Sequence, residues 1–296
     1  MVMYKTNCLG IILNMKIFDL HNDFFTEIKR DSVKEKFLKS SKTLPAKTIV
    51  GAVWTSKMKC ETALETIEKA HDFMEKHNEN NNLDFPKTLL SIEDLHFLSK
   101  YNIDRVINAN PVSVTLTWNS DNNLAGGAHD GGDLTVFGLQ TVETLEQNHI
   151  FVDTAHLSEK SFMSFAKITQ KPILCSHTAC YSLTNNCRNL KDYQLQMVKE
   201  SGGIVGVCLV SDFLSNMKKA TVGDVAKNID FIVSRFGKEF CALGTDFFGT
   251  KKFPKYVETY SALSLLEDRL RFMGYDYDTI EDIFYNNAYN FFKNNK

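Results

Sequence analysis

Short apolar, β-branched runs recur along the chain at Lys16–Leu20, Thr48–Trp54, Thr88–Ile92, Ser113–Thr117, Ile150–Thr154, Pro172–Ser176, Ile204–Leu209 and Phe240–Gly244. Runs of this length between polar segments predict strands. Most are separated by stretches with a helical period. Leu64, Ile67, His71 and Met74 fall on one helix face, and so do Leu139, Val142 and Leu145, with Thr135 as N-cap. Thr221 and Asp224 have capping-box spacing ahead of Val225, Ile229, Ile232 and Phe236, with Gly237 as the stop. Leu263, Leu266 and Leu270 predict a helix that stops at Gly274. A last helix starts after Thr279 and carries Ile283, Phe284 and Ala288. Eight strands alternating with helices predict an α/β fold whose parallel sheet closes into a (β/α)8 barrel. An open, doubly wound sheet is the rival, but its Gly-x-Gly-x-x-Gly turn is absent after the first strand, where His21-Asn22-Asp23 stands.

The chain is not subdivided by repeats or by Pro-rich or Ser/Gly linkers, and the polar tract Asn78–Asn82 reads as a loop after a helix. Residues 15–296 are therefore expected to form one barrel domain. Met1–Asn14 carries Lys5 and a short apolar stretch, Cys8–Leu13, with no small-residue cleavage site before the first strand. Met15 directly precedes Lys-Ile-Phe-Asp-Leu-His, so it is read as the start, or residues 1–14 as an arm. A formal net charge of -2 gives no global field for nucleic acid or an anionic membrane. With no apolar run long enough to span a bilayer, a cytoplasmic protein is expected. The seven cysteines are odd in number and scattered, and several lie in predicted strands (Cys175, Cys208, Cys241), so they read as reduced, small apolar residues.

Chemistry enters with the residues that follow the strands. His21 and Asp23 follow the first, Glu93 the third, His156 the fifth, His177 the sixth and Asp246 the eighth. In a barrel these positions share the C-terminal rim, where barrel enzymes build their sites. Each alone has an ordinary structural role, as Glu93-Asp94 has if it caps a helix over Leu95–Leu98. Their coincidence on one rim points to metal binding. In His-x-Asp, residues two apart on a strand face the same side, so both can meet one cation. Imidazole with carboxylate suits zinc or a similar ion.

Asp19-Leu-His-Asn-Asp23, Leu90-Ser-Ile-Glu93, Leu116-Thr-Trp-Asn119, Val152-Asp-Thr-Ala-His156-Leu-Ser158, Pro172-Ile-Leu-Cys-Ser-His177, Cys187-Arg-Asn189 and Leu243-Gly-Thr-Asp-Phe247 together resemble the membrane (renal) dipeptidase family, the M19 metallopeptidases of the amidohydrolase superfamily, in their bacterial-type members. The resemblance runs from Met15 to the end. It implies that His21 and Asp23 bind one zinc, that His156 and His177 bind a second, and that Glu93 bridges them. Asp246 would be the catalytic acid/base, and Arg188 would hold the substrate's terminal carboxylate, with Trp118 and Asn119 at the substrate. The implied reaction is hydrolysis of a small dipeptide, including those with a D-residue on the C-terminal side, by a hydroxide shared between two ions about 3.5–4 Å apart. Manganese, iron or cobalt could replace zinc, and a homodimer is expected by analogy.

Two positions depart from the best-known members. Trp118 stands where they carry a His, and Val210 lies near where they carry a Tyr; neither replacement supplies the lost group. These changes touch the substrate pocket, not the metal ligands. Within the loop Ala125–Gly132, His129 is read as exposed. The abundant Phe residues are read as core, and His71, His77, His96 and His149 are placed on helices or helix ends without a role. Two alternatives remain open: another amidohydrolase acting on a lactam, lactone or N-acyl amino acid, and a non-catalytic binding barrel.

Overall fold

All eight expected strands form, and they close into a parallel barrel in the order β1 to β8. The computed structural model describes residues 16–27, 46–79 and 86–295; the reading of Met15 and of residues 1–14 lies outside them. The strands are β1 (Ile17–Asn22), β2 (Ala46–Trp54), β3 (Lys87–Glu93), β4 (Ser113–Thr115), β5 (Phe151–Asp153), β6 (Leu174–Thr178), β7 (Ile204–Val207) and β8 (Cys241–Leu243). The helices are α1 (Cys60–Glu79), α2 (Ile103–Asn108), α3 (Val136–Gln147), α4 (Glu159–Ile168), α5 (Asp192–Glu200), α6 (Ser211–Leu214), α7 (Val222–Phe236), α8 (Ser264–Phe272), α9 (Tyr277–Glu281) and α10 (Asn287–Asn294). A 3-10 turn, Phe24–Glu27, follows β1. Pairing of Asp19 with Leu243 closes the ring between β1 and β8.

The strands read as near-continuous apolar runs because both faces are buried, as a barrel requires. The outward faces pack under the helices in a large core that includes Phe162, Phe165, Ile229 and Leu270. The inward faces form a second cluster of Phe18, Leu20, Val50, Phe151, Leu174, Ile204 and Ala242. α10 plugs this end with Ala288, Phe291 and Phe292, and Phe292 stacks on Phe18 with ring centroids 5.6 Å apart. Burying each such ring contributes roughly 1.5–3 kcal/mol. The plug seals the N-terminal end, so polar groups facing inward can gather only at the opposite mouth.

Local signals mostly act as expected. Thr135 caps α3 by accepting from Gly138 N at 2.9 Å, and Thr221 N donates to Asp224 Oδ2 at 2.9 Å at the start of α7. Gly237 ends α7 at φ +104, which disfavours a side chain. Some details differ. Leu139 is exposed, while Val142 and Leu145 are buried. α9 is capped by Asp276, which accepts from Thr279 N at 2.7 Å, so the helix begins earlier than Thr279 suggested. Asn78 still belongs to α1, and its side-chain amide pairs with Thr88 at the start of β3. No helix over Leu95–Leu98 follows Glu93: Asp94 bends the chain at φ +74 and its carboxylate accepts from His96 N, so His96 lies in a turn. Among the described residues no helix is long and apolar enough to cross a membrane.

Candidate metal centre

The barrel brings the expected donors together at its C-terminal mouth. His21 and Glu93 lie in the last residues of β1 and β3, His177 near the end of β6, and Asp23, His156 and Asp246 just beyond β1, β5 and β8. Five of them are nearly fully buried, and Asp246 is partly exposed at the floor of the mouth. Glu93 Oε1 is the focus: it lies 2.6 Å from His156 Nε2, 3.6 Å from His177 Nε2 and 3.9 Å from His21 Nε2. His156 Nε2 and His177 Nε2 are 2.9 Å apart, and the His21 and His177 rings stack with centroids at 3.9 Å. On the other side, Asp23 Oδ2 lies 3.5 Å from His21 Nε2. Donor atoms from Glu93, His156 and His177 fall within 4.8 Å of one another, and so do those from His21, Asp23 and Asp246. The two groups meet at Glu93 and His21.

The backbone is bent to achieve this. His156 and Asp246 sit at φ +70 and +60, a region that non-glycine residues rarely occupy. Such strain persists where surrounding structure fixes it, as at functional sites. Asp19 supplies part of that restraint beneath β1 and β8: its Oδ1 accepts from Thr245 N at 2.8 Å and from His21 N at 3.3 Å, and its Oδ2 from Thr245 Oγ and the Tyr260 hydroxyl. The rear nitrogen of two ligand candidates is held as well. His156 Nδ1 is 2.9 Å from Asn119 Oδ1, and His177 Nδ1 is 2.8 Å from Ser176 Oγ.

The electrostatics favour a cation. Burial raises the pKa of Glu93, with His21 and Arg188 opposing it. Burial and then the Glu93 charge raise that of Asp23; burial and then the Asp23 charge push that of Asp246 well up. His156 and His177 fall well below the usual range through burial and positive neighbours. For His21, burial opposes protonation, but the Asp23 hydrogen bond and the charges of Glu93, Asp23 and Asp246 outweigh it and push the pKa up to about 10. Crowded carboxylates that resist ionisation, with His156 and His177 kept neutral and His21 drawn to carry a positive charge among them, are an arrangement that a divalent ion would reconcile. His21 Nδ1 is buried without a hydrogen-bond partner and Nε2 has only the long 3.5 Å approach of Asp23 Oδ2, and nitrogen and oxygen donors in this mix suit zinc-like ions. The donor set therefore fits a metal.

A cavity of about 470 Å³ opens over this floor, with Asp23, Glu93, His156, His177 and Asp246 among its lining. Its remaining wall is largely apolar: Trp54, Trp118, Val210, Phe213 and Phe248. Trp54 and Trp118 pack edge to face at 5.3 Å, and Trp118 lies 6.1 Å from His156. Trp118 and Val210, the two departures, thus both face the cavity. Reading every Phe as core is corrected here, since Phe213 and Phe248 line it. Trp54 also went unnoticed, although its place at the end of β2 put it on the rim. Arg188 lies to one side, 4% exposed, with its guanidinium 3.1 Å from His177 Nε2. His129 is exposed on its loop, as expected. Gly249 closes the floor so tightly that a Cβ there would land on Asp23 Oδ2 and Asp246 Oδ1. Gly249→Ala is thus expected to displace both carboxylates and to lower bound metal, measured by elemental analysis, with the far-ultraviolet circular dichroism unchanged.

The profile of the membrane dipeptidase family (peptidase family M19) matches residues 9–295. Among curated proteins, an uncharacterised dipeptidase of Schizosaccharomyces pombe is 32% identical over 157 residues, covering 50% of this chain and 38% of that protein. The match therefore spans well under half of that relative. Among solved structures, a dipeptidase described as a metallopeptidase of family M19 superposes with a TM-score of 0.86 at 19% identity, covering 95% of this chain and 99% of the other. A Rhodobacter sphaeroides metallopeptidase, liganded with a phosphinate mimic of the dipeptide L-Ala-D-Ala, superposes at 0.82 with 17% identity, covering 95% and 99%. At such identities the two likenesses establish the shared barrel.

Proposed function

Because the chain belongs to the membrane dipeptidase family (peptidase family M19), we propose that it is a metal-dependent dipeptidase with a binuclear site. His21 and Asp23 would hold one ion, His156 and His177 the other, and Glu93 both; zinc is the assignment the donors favour. The observation that carries this reading is the single carboxylate oxygen of Glu93 facing three buried imidazole nitrogens. When bound, such ions activate water and polarise the scissile carbonyl.

The protein's own groups do the rest. Asp246 faces Asp23 across the floor and would take the proton of the attacking water, then deliver it to the departing amine. Its raised pKa suits a group that must hold that proton between the two transfers. Asn119 fixes the His156 ring through Nδ1 and, with Trp118, lines the cavity where substrate would lie. Arg188 is buried beside His177, and its planar fork is suited to grip a terminal carboxylate. A D-residue on that side is supported by the ligand of the R. sphaeroides relative. A homodimer is expected from the family resemblance, and light scattering of the purified protein checks it.

The test is a dipeptide panel assayed with metal content. About two equivalents of metal per chain and chelator-sensitive turnover are expected. Turnover of no dipeptide by the metal-loaded protein would favour a binding barrel. Arg188→Ala separates the dipeptidase from a lactam, lactone or N-acyl amidohydrolase: KM for dipeptides is expected to rise steeply, by roughly 10–100-fold for a lost charged hydrogen bond of about 1.5–3 kcal/mol. An unchanged KM removes the carboxylate anchor from the reading. The apolar wall of Trp54, Trp118, Val210, Phe213 and Phe248 makes a further prediction. Dipeptides with Leu or Phe side chains should show higher kcat/KM than those with Lys or Asp, because a buried charge against that wall lacks a partner.

A further inference from the structure

Asp153 ends β5 inside the barrel, beneath the donors of the mouth. Phe151, two residues earlier, lies in the interior cluster, and strand alternation carries Asp153 to the same face. The residue is fully buried. Its Oδ1 accepts from Ala155 N at 3.0 Å and from Ser176 N at 2.9 Å. Those residues immediately precede His156 and His177. One carboxylate oxygen thus ties together the two backbone segments from which two of the imidazoles project. Asp19 does the same on the other half of the ring, binding the amides of His21 and of Thr245, the residue before Asp246.

The two aspartates differ in their second oxygen. That of Asp19 is satisfied by Thr245 and Tyr260. That of Asp153 is buried with no hydrogen-bond partner. His21 Nδ1 is equally buried and equally without a partner. An imidazole nitrogen of His21, an oxygen of Asp153 and an imidazole nitrogen of His177 lie within 4.8 Å of one another. His21 Nε2 is turned toward Asp23 and Glu93. The rear nitrogens of His156 and His177 are already met by Asn119 and Ser176. Among the described residues, His21 is the histidine of the centre with no orienting acceptor, and Asp153 Oδ2 is the carboxylate oxygen buried beside it with no donor. Leaving complementary groups unpaired out of water is costly, and a carboxylate behind a ligating imidazole fixes both its tautomer and its direction.

We propose that Asp153 is a positioning residue of the metal centre: Oδ2 accepts a hydrogen bond from the Nδ1–H of His21 and so holds the Nε2 lone pair toward the cation, while Oδ1 keeps the backbones before His156 and His177 in register. One residue then governs three of the five candidate ligands without touching the metal. The inference rests on the metal-binding part of the reading above and is independent of which amide is cleaved.

The experiment is nitrogen-15 NMR of the zinc-loaded full chain with labelled histidine, His21 being assigned by its absence from His21→Gln, together with zinc affinity by chelator competition. The wild-type protein should show His21 protonated at Nδ1. Asp153→Asn keeps the size and the Oδ1 acceptor but loses the charge. It should weaken zinc binding by about 10–100-fold and shift the His21 signal, with the His156 signal unmoved. A His21 protonated at Nε2 in the wild-type protein overturns the proposal, and this spectrum decides even if Asp153→Asn does not fold. An Asp153→Asn protein with unaltered zinc affinity and an unaltered His21 signal overturns it too. If no dipeptide is hydrolysed but Asp153→Asn still weakens zinc binding, this inference stands and the dipeptidase reading falls. If the wild-type chain binds no zinc, both fall.

Discussion

Asp246→Asn is expected to lower kcat on a cleaved dipeptide by about 10²–10⁴-fold and to leave metal content and KM nearly unchanged. Asn has the same shape as Asp but cannot carry a proton. The backbone bend at φ +60 that aims the residue into the mouth is set by its neighbours, and Asp246 N donates to His21 O at 3.0 Å in either case. A group that acts only while the proton moves stabilises the transition state, not the bound substrate, so the loss should fall on kcat. Burial and the Asp23 charge already make Asp246 readier to hold a proton than an ordinary carboxylate. Steady-state kinetics alongside elemental analysis check the expectation. The outcome that counts against it is specific. Donors of His21, Asp23 and Asp246 lie within 4.8 Å of one another, so an Asp246→Asn protein that loses its metal would make Asp246 a ligand and leave the proton transfers to another group.

The barrel was legible because its strands are buried on both faces, which turns each into a short apolar run that alternating helices set apart. The rim was legible for a related reason. A His or Glu at the end of such a run has few structural uses, and the topology forces all the strand ends onto one circle. What lies one layer below was not. Asp153 stands inside the same stretch as His156, yet nothing in the order of residues says that its carboxylate reaches Ser176 on the next strand. That depends on the stagger of neighbouring strands, which the sequence does not display. The cavity wall was hidden differently. Phe213 and Phe248 look like any other apolar residue in a chain rich in Phe, and only the paths of the loops after β7 and β8 turn them toward the site. Leu139 fits the buried stripe of α3 by spacing, but it stays exposed while Val142 and Leu145 are buried.

Removing divalent ions should abolish turnover and also lower the melting temperature, and the second effect tests the centre without any substrate. Asp23 and Glu93 are buried with Asp246 half-buried beside them, and each is driven toward its neutral form by loss of water and, for Asp23 and Asp246, by a neighbouring carboxylate. A cation bound among them relieves that repulsion in the folded state alone, so its binding free energy adds to stability. At a free ion concentration 100 times Kd the gain is about 2.7 kcal/mol. For a chain of this size that corresponds to roughly 4 °C. Differential scanning fluorimetry of the chelated protein, with and without added zinc, measures it. His177→Ala should shrink the zinc-dependent shift sharply, because it removes one of the imidazoles around Glu93 Oε1 and the partner of Arg188. A wild-type melting temperature indifferent to zinc would mean that the convergence of donors on Glu93 is a packed polar core and not a metal centre. The catalytic assignments to Asp246 and Arg188 would then lose the geometry they depend on.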